Sequence, residues 1–291
     1  MKRTLWLPAL VWLMAAALGG CVVTPDYQAA PGAAAPAEEE EQASEPPPPL
    51  PEYEQPPCPV EGYIWTPGLW RWGPEGYFWV PGTWVAPPQP GLLWTPGYWG
   101  LVGAVYVFHA GHWGPHVGYY GGINYGHGYT GDGYAGGRWV NNHFQYNTAV
   151  TRVNVVNVHN TYNETVVNNV TVNNTSYTRN TTVNNTTANT NVRNSYVGGE
   201  GTRNERTPAE QSAAREPHYQ ATPAQFQHHV EARSEPTLNA ARNEGRPPIA
   251  ATPHPGALRE PGSTAAKEGG PAWHPQHPQP ARDDKKGEPR G

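Results

Sequence analysis

The sequence has few of the residues from which catalytic sites are built. Between residues 62 and 198 the carboxylates are Glu75, Asp132 and Glu164, which lie too far apart in sequence to suggest an acid–base pair. We find no glycine-rich phosphate loop followed by a helix, no nucleophile elbow and no zinc-protease helix motif. The sequence therefore predicts no enzymatic activity and no cofactor.

Positive charge and cysteine are also scarce. The formal net charge is −5 and basic residues do not cluster, which disfavours binding to a nucleic-acid backbone. The cysteines are Cys21 and Cys58. If Cys21 is modified, Cys58 is the remaining thiol and no disulfide can form within the chain. We expect a free thiol in a flexible linker, the alternative being a disulfide between chains.

Residues 1–20 have the order of a signal peptide. Two basic residues precede the apolar run 5–18, which is shorter than the ~20 residues that a membrane-spanning helix needs. The run leads into LGGC, which resembles the lipobox of bacterial lipoproteins. The alternative is an ordinary signal peptide with a chance cysteine. The resemblance implies lipidation of Cys21. Because Val22 follows instead of Asp, it also implies an anchor at the outer membrane, on its periplasmic or surface side.

Residues 21–61 are rich in Pro, Ala and Glu and contain no Lys or Arg. Such a composition buries little apolar surface, and like charges extend the chain. The segment is predicted to be a disordered acidic tether with a reach on the order of 100 Å.

Residues 62–115 contain an aromatic repeat, seen in YIWTPGLWRW, YFWVPGTW, LLWTPGYW and YVFHAGHW. Pro followed by Gly suits a type II turn, with positive φ at the glycine. The predicted turn residues are Pro67, Gly68, Pro81, Gly82, Pro96 and Gly97. A turn of this kind places Trp65 opposite Trp70 and Tyr63 opposite Trp72. The region is predicted to be an antiparallel meander of short aromatic-rich hairpins, within a mainly β fold.

Residues 116–198 are Gly/Tyr-rich and then Asn/Thr/Val-rich, and are predicted to be an extended β segment. Strand-like alternation occurs at 153–155 and 170–173. The tail, 199–291, is predicted to be low in complexity and mostly disordered, above all beyond Pro247. Its short helices would begin at the capping boxes that start with Thr207 and Thr222. The best anchors of the second helix are Phe226 and Val230.

Two kinds of binding site deserve a test. Trp70, Trp84 and Trp99 could stack on sugar rings, but the same rings could instead supply the hydrophobic core of the meander. His109, His112 and His116 are weak metal candidates, because imidazole binds Zn, Cu or Ni. The simpler interpretation is that these histidines are polar-aromatic members of the repeat, so no specific metal site is predicted.

The repeat, the GPHVGYYGGINYGHGY stretch, the Asn/Val run and the TPAEQ and TPAQFQHH motifs occur in this order in a known family. The chain resembles the YXWGXW-repeat proteins of Gram-negative bacteria, over roughly residues 60 to 260. The fourth unit departs by having Phe108 and Ala110 in place of Trp and Pro. The resemblance implies a lipid-anchored envelope protein with no established activity. We therefore predict a structural or interaction role, the alternative being a glycan- or peptidoglycan-binding module. The expected partners are the membrane, through the lipid, and peptidoglycan or envelope proteins.

Overall fold

A computed structural model describes residues 41–165, 193–268 and 272–275. Strands predominate there, which confirms the predicted mainly β fold. The strands are β1 (Gln42–Ala43), β2 (Ile64–Thr66), β3 (Leu69–Gly73), β4 (Gly76–Val80), β5 (Gly82–Val85), β6 (Leu93–Thr95), β7 (Tyr98–Val102), β8 (Val105–His109), β9 (His112–Gly114), β10 (Gly137–Val140), β11 (His143–Asn147), β12 (Thr161–Tyr162), β13 (Tyr196–Val197) and β14 (Ala251–Thr252). The helices are α1 (Pro208–Ala213), α2 (Pro223–Ser234) and α3 (Ala240–Asn243), with a 3-10 turn at Pro236–Leu238. Within the described ranges, no helix has the length and apolarity needed to cross a membrane.

Two aromatic units together form one long hairpin that bends in the middle. In the first hairpin, β3 and β4 pair around a tip at residues 74–75, and β2 pairs with β5 outside them. The second hairpin has the same plan, with β7 and β8 inside and β6 and β9 outside. The antiparallel hairpins are thus present as predicted, but their strand pairing is nested.

The nested register changes the partners of the aromatic residues. The cross-strand pairs are Trp65 with Trp84, Trp70 with Trp79, Trp94 with Trp113, and Trp99 with Phe108. The predicted pairing of Trp65 with Trp70, and of Tyr63 with Trp72, is therefore wrong. Ring centroids within the four pairs are 5.0 to 5.3 Å apart, a separation at which tilted and edge-to-face aromatic contacts are favourable.

The tight turns lie at the hairpin tips and not at the Pro-Gly pairs. Gly76 and Gly103, at the two tips, have φ of +91° and +63°, and hairpin loops commonly require such left-handed residues. The glycines of the repeat, Gly68, Gly82, Gly97 and Gly111, are not among the residues with positive φ. The predicted type II turns are therefore wrong. Each Pro-Gly pair, and Ala110-Gly111 in the fourth unit, instead marks a corner between an outer and an inner strand.

The segment before the repeats packs against them from residue 41 onward, so the predicted disordered tether is wrong for residues 41–61. β1 pairs with β8, and Leu50 and Tyr53 are buried. Glu41 forms a bidentate ion pair with Arg71, whose Nη2 lies 2.7 Å from the Glu41 Oε1. Composition missed this because a few buried anchors, and not the average hydropathy, hold the segment in place. Residues 21–40 lie outside the described part of the chain.

The Asn-rich segment is only partly β. β10 and β11 form a hairpin, and β12 runs parallel to β11. The strand predicted at 153–155 is wrong, because Val153 makes one isolated bridge and the chain then turns. Asn154 Oδ1 accepts a hydrogen bond from the Val156 nitrogen at 3.0 Å, the Asx geometry that favours turns over strands. The strand predicted at 170–173 lies outside the described residues.

Helices α1 and α2 begin where the sequence predicts. Thr207 and Thr222 accept hydrogen bonds from the backbone nitrogens of Glu210 and Gln225, whose side chains bond back to the cap nitrogens. Both predicted capping boxes are thus confirmed. Such boxes are local, so they are formed by neighbouring residues without help from distant contacts.

The tail is more ordered than predicted. The predicted anchors of α2, Phe226 and Val230, are half-buried and exposed, whereas His228 and Ala232 are buried. Beyond residue 247, β14 pairs in parallel with β5 and is fully buried. The prediction of disorder is therefore wrong for this stretch. The four small residues from Ala250 to Pro253 pack closely beside the repeat, although their side chains contribute little apolar surface.

Candidate functional site

Cys21, the predicted lipidation site, lies outside the described residues. Cys58 is a free thiol, but it is fully buried and not part of a flexible linker as predicted. Its Sγ donates to the Val60 carbonyl oxygen at 3.2 Å. Burial raises the pKa of the Cys58 thiol to about 11. A thiolate is the reactive form of cysteine, so this environment suppresses thiol chemistry.

The repeat corners face each other in two pairs. Gly68 faces Gly82 in the first hairpin, and Gly97 faces Gly111 in the second. A Cβ on Gly82 would lie 2.6 Å from the Trp65 Cζ2 and 2.9 Å from the Gly68 nitrogen. Glycine is therefore required for close approach and not for its φ. The predicted turn residues, Pro67, Gly68, Pro81, Gly82, Pro96 and Gly97, all lie at these corners.

The tryptophans proposed for sugar stacking are interior residues. Trp70, Trp84 and Trp99 are exposed to solvent by 1%, 0% and 2%. The indole Nε1 of each donates to a backbone carbonyl oxygen, at 3.2, 2.8 and 2.8 Å in that order. A sugar cannot reach these faces in this fold, so the structure contradicts the stacking assignment and supports the self-packing alternative.

The three histidines proposed as weak metal ligands take separate partners. His109 stacks on Tyr98 with ring centroids 4.6 Å apart. His112 contacts His218 at 3.8 Å between centroids, and His116 Nδ1 lies 2.8 Å from Glu216 Oε1. Among the residues that the structure describes, no group of three or more metal-binding side chains is placed to hold an ion.

A groove of about 440 Å³ lies between the chain entering β2 and the β10–β11 hairpin. Two half-buried aromatic residues, Tyr63 and Trp139, border it. Glu61, Asn142 and His143 supply polar side chains to its lining. No Lys or Arg side chain is among the lining residues. Sequence reasoning missed this groove because its two sides are about 80 residues apart.

A smaller cleft of about 60 Å³ lies where the corners of the two hairpins meet α2. Its walls include Pro67, Trp94 and Phe108 from the repeats. His228 and His229, on α2, line the opposite side. The sequence signal for this helix was its capping box, but nothing in the local pattern showed that the His-His pair faces the repeats.

A family model described as the WXXGXW repeat matches two copies, at residues 62–85 and 90–113. The chain carries the WXXGXW repeat. A search of curated proteins and a search of solved structures gave no match to this chain.

Each matched copy of the WXXGXW repeat coincides with one bent hairpin. The first copy spans β2 to β5, and the second begins before β6 and ends at Trp113 in β9. Each structural unit therefore contains two glycine corners, and its length is twice the spacing at which the aromatic pattern recurs. A single corner has no partner across which its glycine can approach another strand, which explains why the units occur in pairs.

Proposed function

We propose that the chain is a lipid-anchored protein of the cell envelope, with a structural or interaction role and no catalytic activity. The proposed anchor is Cys21, in the lipobox-like string that follows the apolar run. The observation that carries the proposed role is the burial of the WXXGXW tryptophans. These rings form the hydrophobic core of a scaffold. The repeat therefore stabilises the fold, and contacts with partners are made by the segments at the surface.

The proposed anchor would hold the folded part at a limited distance from the membrane. Nineteen residues separate Cys21 from Glu41, the first described residue, which contacts the repeats. A fully extended chain covers at most about 3.5 Å per residue, or roughly 65 Å for this segment. This is shorter than the reach expected when the whole of 21–61 is taken as a tether. Partners within the same membrane leaflet or the adjacent peptidoglycan are then in range.

The anchor is tested by fractionation and fatty-acid labelling of the full chain in a Gram-negative host. We expect wild type to enter the detergent-extracted membrane fraction and to incorporate label. Cys21→Ala should lose both, because Cys21 is the cysteine that ends the lipobox-like string LGGC. Cys58→Ala is the matched control and should keep both, since Cys58 is buried in the fold. Unchanged fractionation and labelling of Cys21→Ala would refute the lipid anchor.

A second candidate function is glycan binding, at the groove of Tyr63 and Trp139 instead of at the repeat tryptophans. Partly exposed aromatic rings beside a few polar groups are typical of ligand grooves, and about 440 Å³ lies within the usual range of pocket volumes. Glu61, Asn142 and His143 could hydrogen-bond sugar hydroxyls. The lack of Lys and Arg in the lining favours an uncharged ligand over a phosphate or polyanion.

Retention on purified peptidoglycan tests the second candidate. Tyr63→Ala and Trp139→Ala should each lower the retained fraction, whereas Trp72→Ala, a half-buried ring outside the groove lining, should not. Because the Trp139 Nε1 donates to the Leu92 carbonyl at 2.9 Å, each variant must first show a wild-type melting curve. Equal retention of all three variants would exclude the groove as the glycan-binding site.

A further inference from the structure

The segment 217–235, here called the strap, crosses the corners of both hairpins. At its start, Trp113 and Tyr219 exchange backbone hydrogen bonds of 2.8 and 2.9 Å. Trp113 Nε1 then donates to the Gln225 side chain at 2.8 Å. The middle of the strap is α2, which covers the corner cleft. The strap therefore bridges the second hairpin to the first.

His228 is a buried polar contact of the strap. It is 2% exposed, and both of its ring nitrogens are used. Its Nε2 lies 2.9 Å from the Pro81 carbonyl oxygen, to which it must donate. Its Nδ1 accepts from the Gly256 nitrogen at 3.1 Å. A proton on Nδ1 would turn that acceptor into a second donor facing an N–H group, so the charged ring does not fit the site.

Two further histidine contacts lie along the strap. His229 stacks on Phe78 of the first hairpin, with centroids 5.5 Å apart and planes 13° from parallel. Its Nδ1 is buried with no hydrogen-bond partner among the described residues. His112, in β9 of the second hairpin, packs against His218 at the start of the strap. The Nε2 of His112 is likewise buried and unpartnered there.

We propose that the strap is an acid-released cover: it closes the corner cleft at neutral pH, and protonation of its histidine contacts detaches it from the repeats. Release would expose the apolar walls of the cleft, including Leu69, Val80 and Phe108. Exposed apolar surface of this kind favours association with a partner. Acid would thus convert a closed scaffold into one with an open face. The inference goes beyond the proposed envelope role and does not depend on the anchor.

The charged groups that face these histidines are of both signs. Arg71 of the first hairpin and Arg233 of α2 disfavour a positive charge on His229. At His228, Glu231 favours a positive charge and His254 disfavours one. His218 disfavours charge on His112. Two ion pairs, His116–Glu216 and His254–Glu260, also lie beside the strap. The side chains of His116 and His254 are 73% and 46% exposed, so each pair contributes little to holding the strap.

Burial is the main reason why these histidines resist protonation while the strap is in place. It lowers the pKa of His112 to about 4 and of His229 to about 3, and it lowers the pKa of His228 as well. Protons therefore bind preferentially to the released form. The contact is fully present above pH ~6.5 and is lost as the pH falls from there toward about 4. A shift of this size would favour release about thirtyfold at pH 5. Partial exposure reduces this to on the order of tenfold for each histidine.

Hydrogen exchange of the full chain in detergent, at pH 7.5 and pH 5.0, tests the proposal. After correction for intrinsic exchange rates, we expect peptides from 217–235 to lose protection at least about tenfold in acid. Peptides from the β10–β11 hairpin should lose much less. An equal loss in both places would mean global unfolding and would overturn a local release. An unchanged strap would overturn it as well.

Two variants assign the effect to the proposed residues. His228→Gln keeps one donor and one acceptor but cannot titrate, and His229→Phe keeps the stack on Phe78. His229→Phe should reduce the loss of strap protection in acid by up to on the order of tenfold, and His228→Gln should reduce it as well. His159→Gln, at an exposed histidine outside the strap and the groove, is the matched control and should behave as wild type. If His228→Gln fails to fold, His229→Phe alone still tests whether the strap histidines cause the release in acid. The same pH response in His229→Phe as in the control would then refute the role of these histidines.

Discussion

Replacement of Gly82 tests whether the repeat glycines are required for close approach. In Gly82→Ala the new Cβ would lie 2.6 Å from the Trp65 ring and 2.9 Å from the Gly68 nitrogen. Trp65 is fully buried and the second atom is backbone, so neither neighbour can move cheaply. Overpacking of this kind typically costs about 1–3 kcal/mol. The reduced entropy of the unfolded chain returns about 0.4–1 kcal/mol. We expect a net loss of about 1–2 kcal/mol.

The assay is equilibrium urea unfolding of the full chain, followed by tryptophan fluorescence and near-ultraviolet circular dichroism. Gly73→Ala, in the same hairpin, is the control, because its Cβ would make only an ordinary contact of 3.4 Å with Phe78. A second comparison separates steric exclusion from φ. Asn tolerates left-handed backbone better than Ala does. Gly76, with φ of +91°, should therefore accept Asn better than Ala, whereas Gly82 should accept Ala better than Asn. The opposite order at Gly82, or equal stability of Gly82→Ala and Gly73→Ala, would refute the close-approach argument.

Three other outcomes follow from buried groups. Trp79→Ala should lower the unfolding free energy by about 3–5 kcal/mol in the same urea assay, since it empties a fully buried site. Cys58 should react with a thiol reagent only at the rate of unfolding, and non-reducing gels should show mainly monomer. A dominant disulfide dimer would contradict its burial. Burial beside Tyr53 lowers the pKa of His127 to about 4. Global stability should therefore fall below pH ~6.5, and His127→Gln should flatten that dependence in pH-dependent melting.

The features that the sequence predicts correctly are those decided by near neighbours. The capping boxes at Thr207 and Thr222 need only four consecutive residues each, and both form. The β class follows from aromatic and β-branched residues around regular corners. The cross-strand partner of Trp65, in contrast, is decided by residues far along the chain. Trp70 and Trp84 are both compatible with period-two alternation, and only the strand that closes the hairpin 19 residues away selects Trp84.

The same argument explains why the flanking segments were misjudged. Average composition treats residues 41–61 as a solvated acidic linker. The structure pairs Glu41, whose side chain is 15% exposed, with Arg71 and uses buried Leu50 and Tyr53 as anchors. A charge in such a segment is stabilising only if a specific cation meets it in the interior. Arg71 is that cation, and no pattern within either segment indicates the pairing. The groove at Tyr63 and Trp139 was not predicted for the same reason, because its two sides come from segments far apart in the sequence.

The irregular fourth unit lies where the N-terminal segment contacts the second hairpin. Phe108 replaces the tryptophan found at the equivalent position in the first copy, Trp79. The Arg71 guanidinium lies over the smaller Phe108 ring, 4.3 Å from its centroid, while its other side holds Glu41. The Phe108 ring still contacts Trp99, at an interplanar angle of 54°, and a Cβ on Gly97 would lie 2.6 Å from the Phe108 Cζ. The corner geometry is thus kept although Ala110 replaces proline. The second hairpin thus has a smaller aromatic ring, Phe108, at the place where Arg71 of the first hairpin and Glu41 of the N-terminal segment contact it.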